Sequence, residues 1–363
     1  MNIDQIMDRC ELDRLVRDRY IVARGDETGS YILYNYTEKA TFDRVWTQET
    51  RQCRGLIITT DGTIVARPFD KFFNIDENDE TRIGALETRP GPIEITEKLD
   101  GSMIAVWYHD GWHTSTRGSF TSSQAQAAAW WLAAQPHKLT DILKDFTLLC
   151  EWCAPDNRVV LKYDRADLVL IGARLTSTGT DIHYEQLPHI ANLADLRIVP
   201  HTTDSLATLA EQRGTRTGME GWVARWPDGF RVKIKTQDYL RLHRLISNFS
   251  ASRVRDVLLG INSDWTAYIT ALPEEFRAEA ERMVYVMRQA VSARSSVIHA
   301  TYTALAPLAA ESRKVYAMAV QQQSADDRPY LFSLLDNKPI EQKILAALDL
   351  SALGFVDPVD STA

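Results

Sequence analysis

The sequence predicts an α+β fold: an antiparallel-sheet-rich domain over residues 1–241, then an all-helical domain over 242–363. Two observations carry this. Up to about Gln237 the apolar residues come in short alternating runs, several split by Asp-Gly, whereas beyond it they recur every three or four residues. The length, 363 residues, also suits two domains of ~100–200 residues each.

The first region reads as strands divided by turns: SYILYNY, RGLIITTDGTIVARPF, IEITEKL, MIAVWYHDGWHTSTRG, FTLLCEWC, RVVLKY, DLVLIGARL and EGWVARWPDGFRVKIK. Asp61-Gly62, Asp110-Gly111 and Asp228-Gly229 each separate two apolar-rich runs, a strong short-range hairpin signal. Helical patches over 122–134 and 205–213 interrupt the strands. Beyond Gln237, helical periodicity runs through YLRLHRLISNF, VRDVLLGI, a long stretch over 274–322 and PIEQKILAALDL. Pro273-Glu274-Glu275 and Pro339-Ile340-Glu341 look like helix starts, with proline in the first turn followed by acids, and the tail from Gly354 reads as frayed.

Hydrophobic residues make up 45% and charged residues 25%, as in an ordinary soluble globular protein. The first twenty residues are charged throughout and show no apolar signal core, and the run AAAWWLAA is far shorter than a membrane span. A cytoplasmic protein with no membrane partner is expected. Of the four cysteines only Cys150 and Cys153 form a close pair, with no second pair to complete a zinc or redox site. Net charge is −8 and neither domain holds an excess of cations, so any polyanion site must be a local patch. Trp107, Trp112, Trp130 and Trp131 could stack bases, but at their spacing they read first as core.

The chemistry begins at Thr96 to Trp107, TEKLDGSMIAVW, where Lys98 precedes an Asp100-Gly101-Ser102 turn. Alone, such a lysine is the polar face of a strand. Glu151 interrupts an otherwise apolar strand, where a carboxylate is costly to bury unless it is paired or near a metal. Glu220 opens another strand in the same manner, and Lys233 and Lys235, two apart, share one strand face. A lysine beside Asp-Gly, two strand carboxylates and a pair of cations are the parts of covalent nucleotidyl transfer: an amine to attack an α-phosphate, oxygens for Mg²⁺, and fixed charge for the transition state.

In this order the motifs resemble those of the covalent nucleotidyltransferases, and within them the phage-type RNA ligase 1 family of ATP-dependent, tRNA-repairing enzymes. Lys98-Leu-Asp-Gly101 matches the first motif. Cys53-Arg54-Gly55 and Lys71-Phe-Phe73-Asn74 resemble the upstream blocks, and Arg117-Gly-Ser119 stands where the family often has Lys-Gly-Ser. Glu151 to Arg158, Glu220-Gly221, and Lys233-Ile-Lys235 with Tyr239 and His243 resemble the later motifs. The resemblance spans about Arg54 to His243.

It implies an adenylyltransferase domain with ATP and Mg²⁺, or Mn²⁺ in its place, as cofactors. Lys98 would form lysyl-AMP. A lysine attacks only as the free amine, and cations such as Lys233, Lys235 and Mg²⁺ favour that form. Asp100, Glu151 and Glu220 would hold the metal, partly through waters. Arg54, Lys71 and Arg117 would contact phosphates, Phe73 would wall the adenine, and Gly101 would let the nucleotide approach the backbone. Ser102 and Tyr239 are weaker transfers. The implied partner is RNA with 3′-hydroxyl and 5′-phosphate ends, for example a cleaved tRNA, with an end-healing kinase or phosphatase upstream.

DNA ligases and capping enzymes carry a β-barrel after the fifth motif, and here the residues read helical, which disfavours them. The helical domain would select RNA or brace the catalytic domain. A DNA-end-joining relative and a non-catalytic RNA-binding relative are the alternatives.

Overall fold

The computed structural model describes every residue except 135–138, 158–159, 247–248, 262–263, 273 and 356–363. Arg158, Pro273 and the tail beyond Phe355 therefore lie outside the described residues. The chain divides into two compact units, Met1–His243 and Arg244–Ala363.

The first unit carries fourteen strands: β1 (Ile21–Gly25), β2 (Tyr31–Tyr36), β3 (Arg54–Thr59), β4 (Ile64–Ala66), β5 (Phe73–Asn74), β6 (Glu94–Lys98), β7 (Ser102–Tyr108), β8 (Trp112–Thr116), β9 (Phe146–Cys153), β10 (Asp167–Leu175), β11 (Arg197–Ile198), β12 (His201–Thr202), β13 (Gly221–Arg225) and β14 (Arg231–Lys235). They form three sheets, ordered β1-β2-β3-β4, β11-β10-β9-β7-β8 and β12-β6-β13-β14-β5. The three Asp-Gly dipeptides expected to form hairpins close β3/β4, β7/β8 and β13/β14. Asp110 and Gly111 both have positive φ, the backbone that a tight right-twisted hairpin requires. Two short pairings, β10/β11 and β14/β5, are parallel within otherwise antiparallel sheets.

Leu33, Ile57, Trp107 and Leu149 pack the first sheet against the second. The opposite face of the second sheet, Val106, Leu148, Cys150 and Leu170 among it, is covered by the helices Ser123–Ala133 and Leu187–Ala194. The third sheet buries Ile95, Trp222 and Ile234 against Leu86 and Leu209. Ser122 and Ser205 cap the two predicted helices by accepting the Ala125 and Thr208 N–H groups, as expected where a short hydroxyl precedes an apolar run.

One expected strand is absent. Residues 160–163 of RVVLKY are irregular, because the N–H groups of Val160 and Leu161 go to the Asp100 carboxylate instead of a neighbouring strand. All four cysteines are free, with Cys10 exposed and the other three buried. Burial pushes the Cys153 thiol up to about 12.

The second unit is helical throughout its described residues, around the 38-residue helix Glu274–Glu311. The periodic stretch over 274–322 is broken at Ser312, whose side chain accepts the Val315 N–H and starts a new helix, Arg313–Val320. Pro339 precedes the cap of Glu341–Ala346 rather than sitting in its first turn. Two clusters, around Phe276 and Met287 and around Tyr316 and Leu331, make its core. Among the described residues no helix is long and apolar enough to cross a membrane.

Candidate active site

Strand register assembles the site. Lys98 at the end of β6 lies opposite Gly221, and Gly221 lies opposite Lys235 on β14, so Glu220 stands between two lysines. Gly221 has φ +146°, and a Cβ there would stand 2.0 Å from the Ile234 carbonyl oxygen. Only glycine permits that approach, which explains why Glu220 is followed by one.

Lys98 Nζ donates to Glu220 Oε2 at 2.8 Å, and Lys235 Nζ reaches Glu220 Oε1 at 2.9 Å. Glu220 is 3% exposed. Burial alone would raise its pKa, yet Lys98 and Lys235 override that and hold it below the ordinary carboxylate value. Lys233, on the same face of β14 as Lys235, sits with its Nζ 5.2 Å from the Phe72 ring centroid.

Glu151 arrives from β9, opposite Met103 on β7. Gly101 lets the turn after Lys98 lie against β9: a Cβ there would be 2.4 Å from the Trp152 carbonyl oxygen and 3.0 Å from Glu151 Cγ. Burial, with the negative charge of Glu220 adding to it, outweighs Lys98, Arg54 and the Gly101 N–H and pushes Glu151 up to about 7.

Asp100 is tied to a distant segment. Its carboxylate accepts the Val160 N–H at 2.8 Å, the Leu161 N–H at 2.5 Å and the Tyr239 hydroxyl at 2.9 Å. Its own N–H donates to the Tyr163 hydroxyl at 3.0 Å. These bonds clamp the turn that follows Lys98. Ser102 is likewise engaged, donating to Asn157 Oδ1 at 3.1 Å. Among the described residues no group of three Asp, Glu, His or Cys side chains is placed to hold a metal. Glu151 and Glu220 are hard oxygen donors in a buried, like-charged pair, a set whose chemistry fits a Mg²⁺ or Mn²⁺ ion.

A layer of cations and aromatics lies alongside. Lys71 is buried, its Nζ 4.6 Å from the Phe73 ring centroid, 5.1 Å from that of Trp46 and 5.7 Å from that of Tyr36. Arg117 donates to the Tyr36 hydroxyl at 2.6 Å, and Arg54 lies 3.2 Å from Met103 Sδ. Phe73 is 3% exposed and packs edge-to-face on Trp46, beside Lys71. No local pattern marks Trp46, Tyr36 and Tyr163, whereas Asn157 lies within the Glu151-to-Arg158 motif. Arg54, Gly101, Ser102 and Arg117 open onto a cleft of about 1050 Å³.

The RNA ligase family model matches residues 52–239, which hold the motifs from Cys53 to Tyr239. The RNA ligase of Rhodothermus phage RM378 is 23% identical over 304 residues, covering 64% of this chain and 68% of that protein. A candidate bifunctional polynucleotide kinase/RNA ligase of Autographa californica nuclear polyhedrosis virus is 30% identical over 160 residues, 38% of this chain and 23% of that protein. An archaeal ATP-dependent RNA ligase structure shares the fold, with a TM-score of 0.50 at 13% identity over 76% of this chain and 75% of that one. With more than half of its length matched, Lys98, Glu151, Glu220, Lys233 and Lys235 included, the chain belongs to the RNA ligase family, of the phage-type RNA ligase 1 kind.

Proposed function

We propose that the protein is an ATP-dependent RNA ligase that joins 3′-hydroxyl and 5′-phosphate RNA ends through a lysyl-AMP intermediate. The observation that supports this most is the Lys98–Glu220–Lys235 array beside Glu151, in a chain of the RNA ligase family. Lys98 Nζ attacks the α-phosphorus of ATP; an N–P bond forms, pyrophosphate leaves, and the amine gives up a proton. An oxygen of the RNA 5′-phosphate then attacks the same phosphorus, the N–P bond breaks, and Lys98 recovers its proton. In the last step the 3′-hydroxyl attacks the RNA 5′-phosphorus and AMP departs.

Glu220 aims Lys98, and Lys235 sets a positive charge beside the reacting phosphoryl group. Glu151 and Glu220 would hold the divalent ion, which supplies charge neutralisation on phosphate oxygens when bound. Free cysteines suit a reducing compartment, and we place the reaction in the cytoplasm, on cleaved RNA such as a broken tRNA whose ends a separate kinase or phosphatase has healed.

The test uses α-labelled ATP and Mg²⁺ with an acid quench. Wild type should carry protein-linked label and Lys98→Ala should carry none; label retained by Lys98→Ala would remove the mechanism. Sealing of a 5′-phosphorylated RNA should exceed sealing of DNA of the same sequence, and equal DNA joining would remove the RNA assignment.

A further inference from the structure

The cleft of about 1050 Å³ is charged against the trend of the chain. The protein is net −8, yet the cleft is lined by Arg19, Arg24, Lys39, Arg54 and Arg117 against one acid, Glu38. Its volume is at the upper end of the about 300–1,000 Å³ usual for ligand pockets.

The arginines here also differ from those elsewhere in the unit. Arg14, Arg51, Arg174, Arg225 and Arg231 all lie against carboxylates. Arg24 donates only to the Gly118 carbonyl, at 2.6 Å, and Arg117 to the Tyr36 hydroxyl. Neither these two nor Arg19 has a carboxylate partner among the described residues. Arg19 follows the helix Arg9–Arg17 with φ +64°, a left-handed backbone that glycine or asparagine would adopt at less cost. An arginine kept there, exposed and unneutralised, is placed for a ligand that brings its own negative charge.

The floor of the cleft includes Gly101 and Ser102, the turn that follows Lys98. A polyanion lying along Arg19, Arg24 and Arg117 would therefore bring its end to the adenylated lysine. We infer that this cleft, on the first sheet and beside the nucleophile turn, binds the sugar-phosphate backbone of the RNA strand next to its reacting 5′-phosphate. Arg19 and Arg24 contact backbone phosphates without reading bases. This rests on the ligase reading above and adds to it the surface that holds the RNA.

The experiment compares wild type, the double variant Arg19→Gln/Arg24→Gln and the control Arg82→Gln, whose exposed guanidinium pairs with Asp79 outside the cleft. Binding of a 5′-phosphorylated single-stranded RNA oligonucleotide is measured across a salt series, and lysyl-AMP formation is measured without RNA. The double variant should bind RNA about tenfold more weakly, with a log–log salt slope shallower by about 1.4, the loss expected for two single-strand phosphate contacts. Its lysyl-AMP formation should match wild type in rate and in KM for ATP, which also reports that it is folded, and Arg82→Gln should match wild type in both assays. Unchanged RNA binding and slope in the double variant would overturn the inference. So would a raised KM for ATP with RNA binding intact, which would give these cations to the ATP phosphates. Wild type that binds RNA but forms no lysyl-AMP would overturn the ligase reading instead, leaving the cleft to be judged by its binding arm.

Discussion

At one end of strands β6, β13 and β14, Lys98, Gly221 and Lys235 lie side by side; at the other end Glu94, Arg225 and Arg231 do. Both ends bury charge, and they settle it differently. At the second end Asp181 lies 2.9 Å from Arg231 and 3.1 Å from Arg174, and Arg225 donates twice to Glu94 Oε2, at 2.9 and 2.5 Å. Burial would raise the pKa of Asp181, but Arg231 and Arg174 override it and hold it low. At the Lys98 end Glu151 stays raised, to about 7, because its cations do not offset burial and Glu220 together. A compensated cluster holds sheets together, whereas an undercompensated one keeps an unmet demand for positive charge that a bound ligand can satisfy.

The sharpest way to break this contrast is Asp181→Ala. It leaves buried arginines without their partner and should cost about 3–5 kcal/mol of stability in a denaturant titration, while lysyl-AMP formation per folded molecule stays near wild type. A loss of chemistry without a loss of stability would merge the two ends. The converse is Lys235→Ala, expected to slow lysyl-AMP formation about 10²–10³-fold, or about 2.7–4 kcal/mol, in single-turnover kinetics. Stability should change far less than in Asp181→Ala.

Glu151 sharpens the contrast through pH. A carboxyl raised from 4.5 to about 7 by folding keeps its proton longer in the native state than in the unfolded one. Native stability is therefore lost as pH rises from about 4.5 to about 7 and stays low above that range. In metal-free buffer Glu151→Gln should flatten this decline and be more stable than wild type at about pH 8, by up to about 3 kcal/mol. A pH profile identical to wild type would show that Glu151 does not carry the strain. The smallest effect belongs to Tyr239→Phe, which removes one of three donors to Asp100. It should cost about 1 kcal/mol and change lysyl-AMP formation less than about tenfold.

Much of this was legible in the sequence wherever the signal was local. The Asp-Gly hairpins, the strands Phe146–Cys153 and Asp167–Leu175 and the change to helices all follow from short-range periodicity. Lys98, Glu220 and Lys235 could be grouped because each sits in a motif. What alternation cannot show is which distant backbone a side chain meets. That the Asp100 carboxylate also holds the N–H groups of residues 160 and 161, sixty residues away, has no local sign. Neither does the packing of Trp46 and Lys71 against the Phe73 ring. The Asp181 cluster escaped notice because a single acid in a turn carries no pattern, and the helix Arg9–Arg17 because its charged face conceals Leu12 and Leu15.

The cysteines, unimportant to the chemistry, make the molecule convenient to watch. Three thiols are sealed in the core, and only Cys10 meets solvent. A maleimide fluorophore on the native protein should go to that one site without any engineered cysteine. Cys10 rides the helix Arg9–Arg17, roughly 10 Å along it from Arg17 at 1.5 Å per residue, and Arg19 follows two residues later. An acceptor dye on an RNA strand would then report arrival in the cleft one molecule at a time.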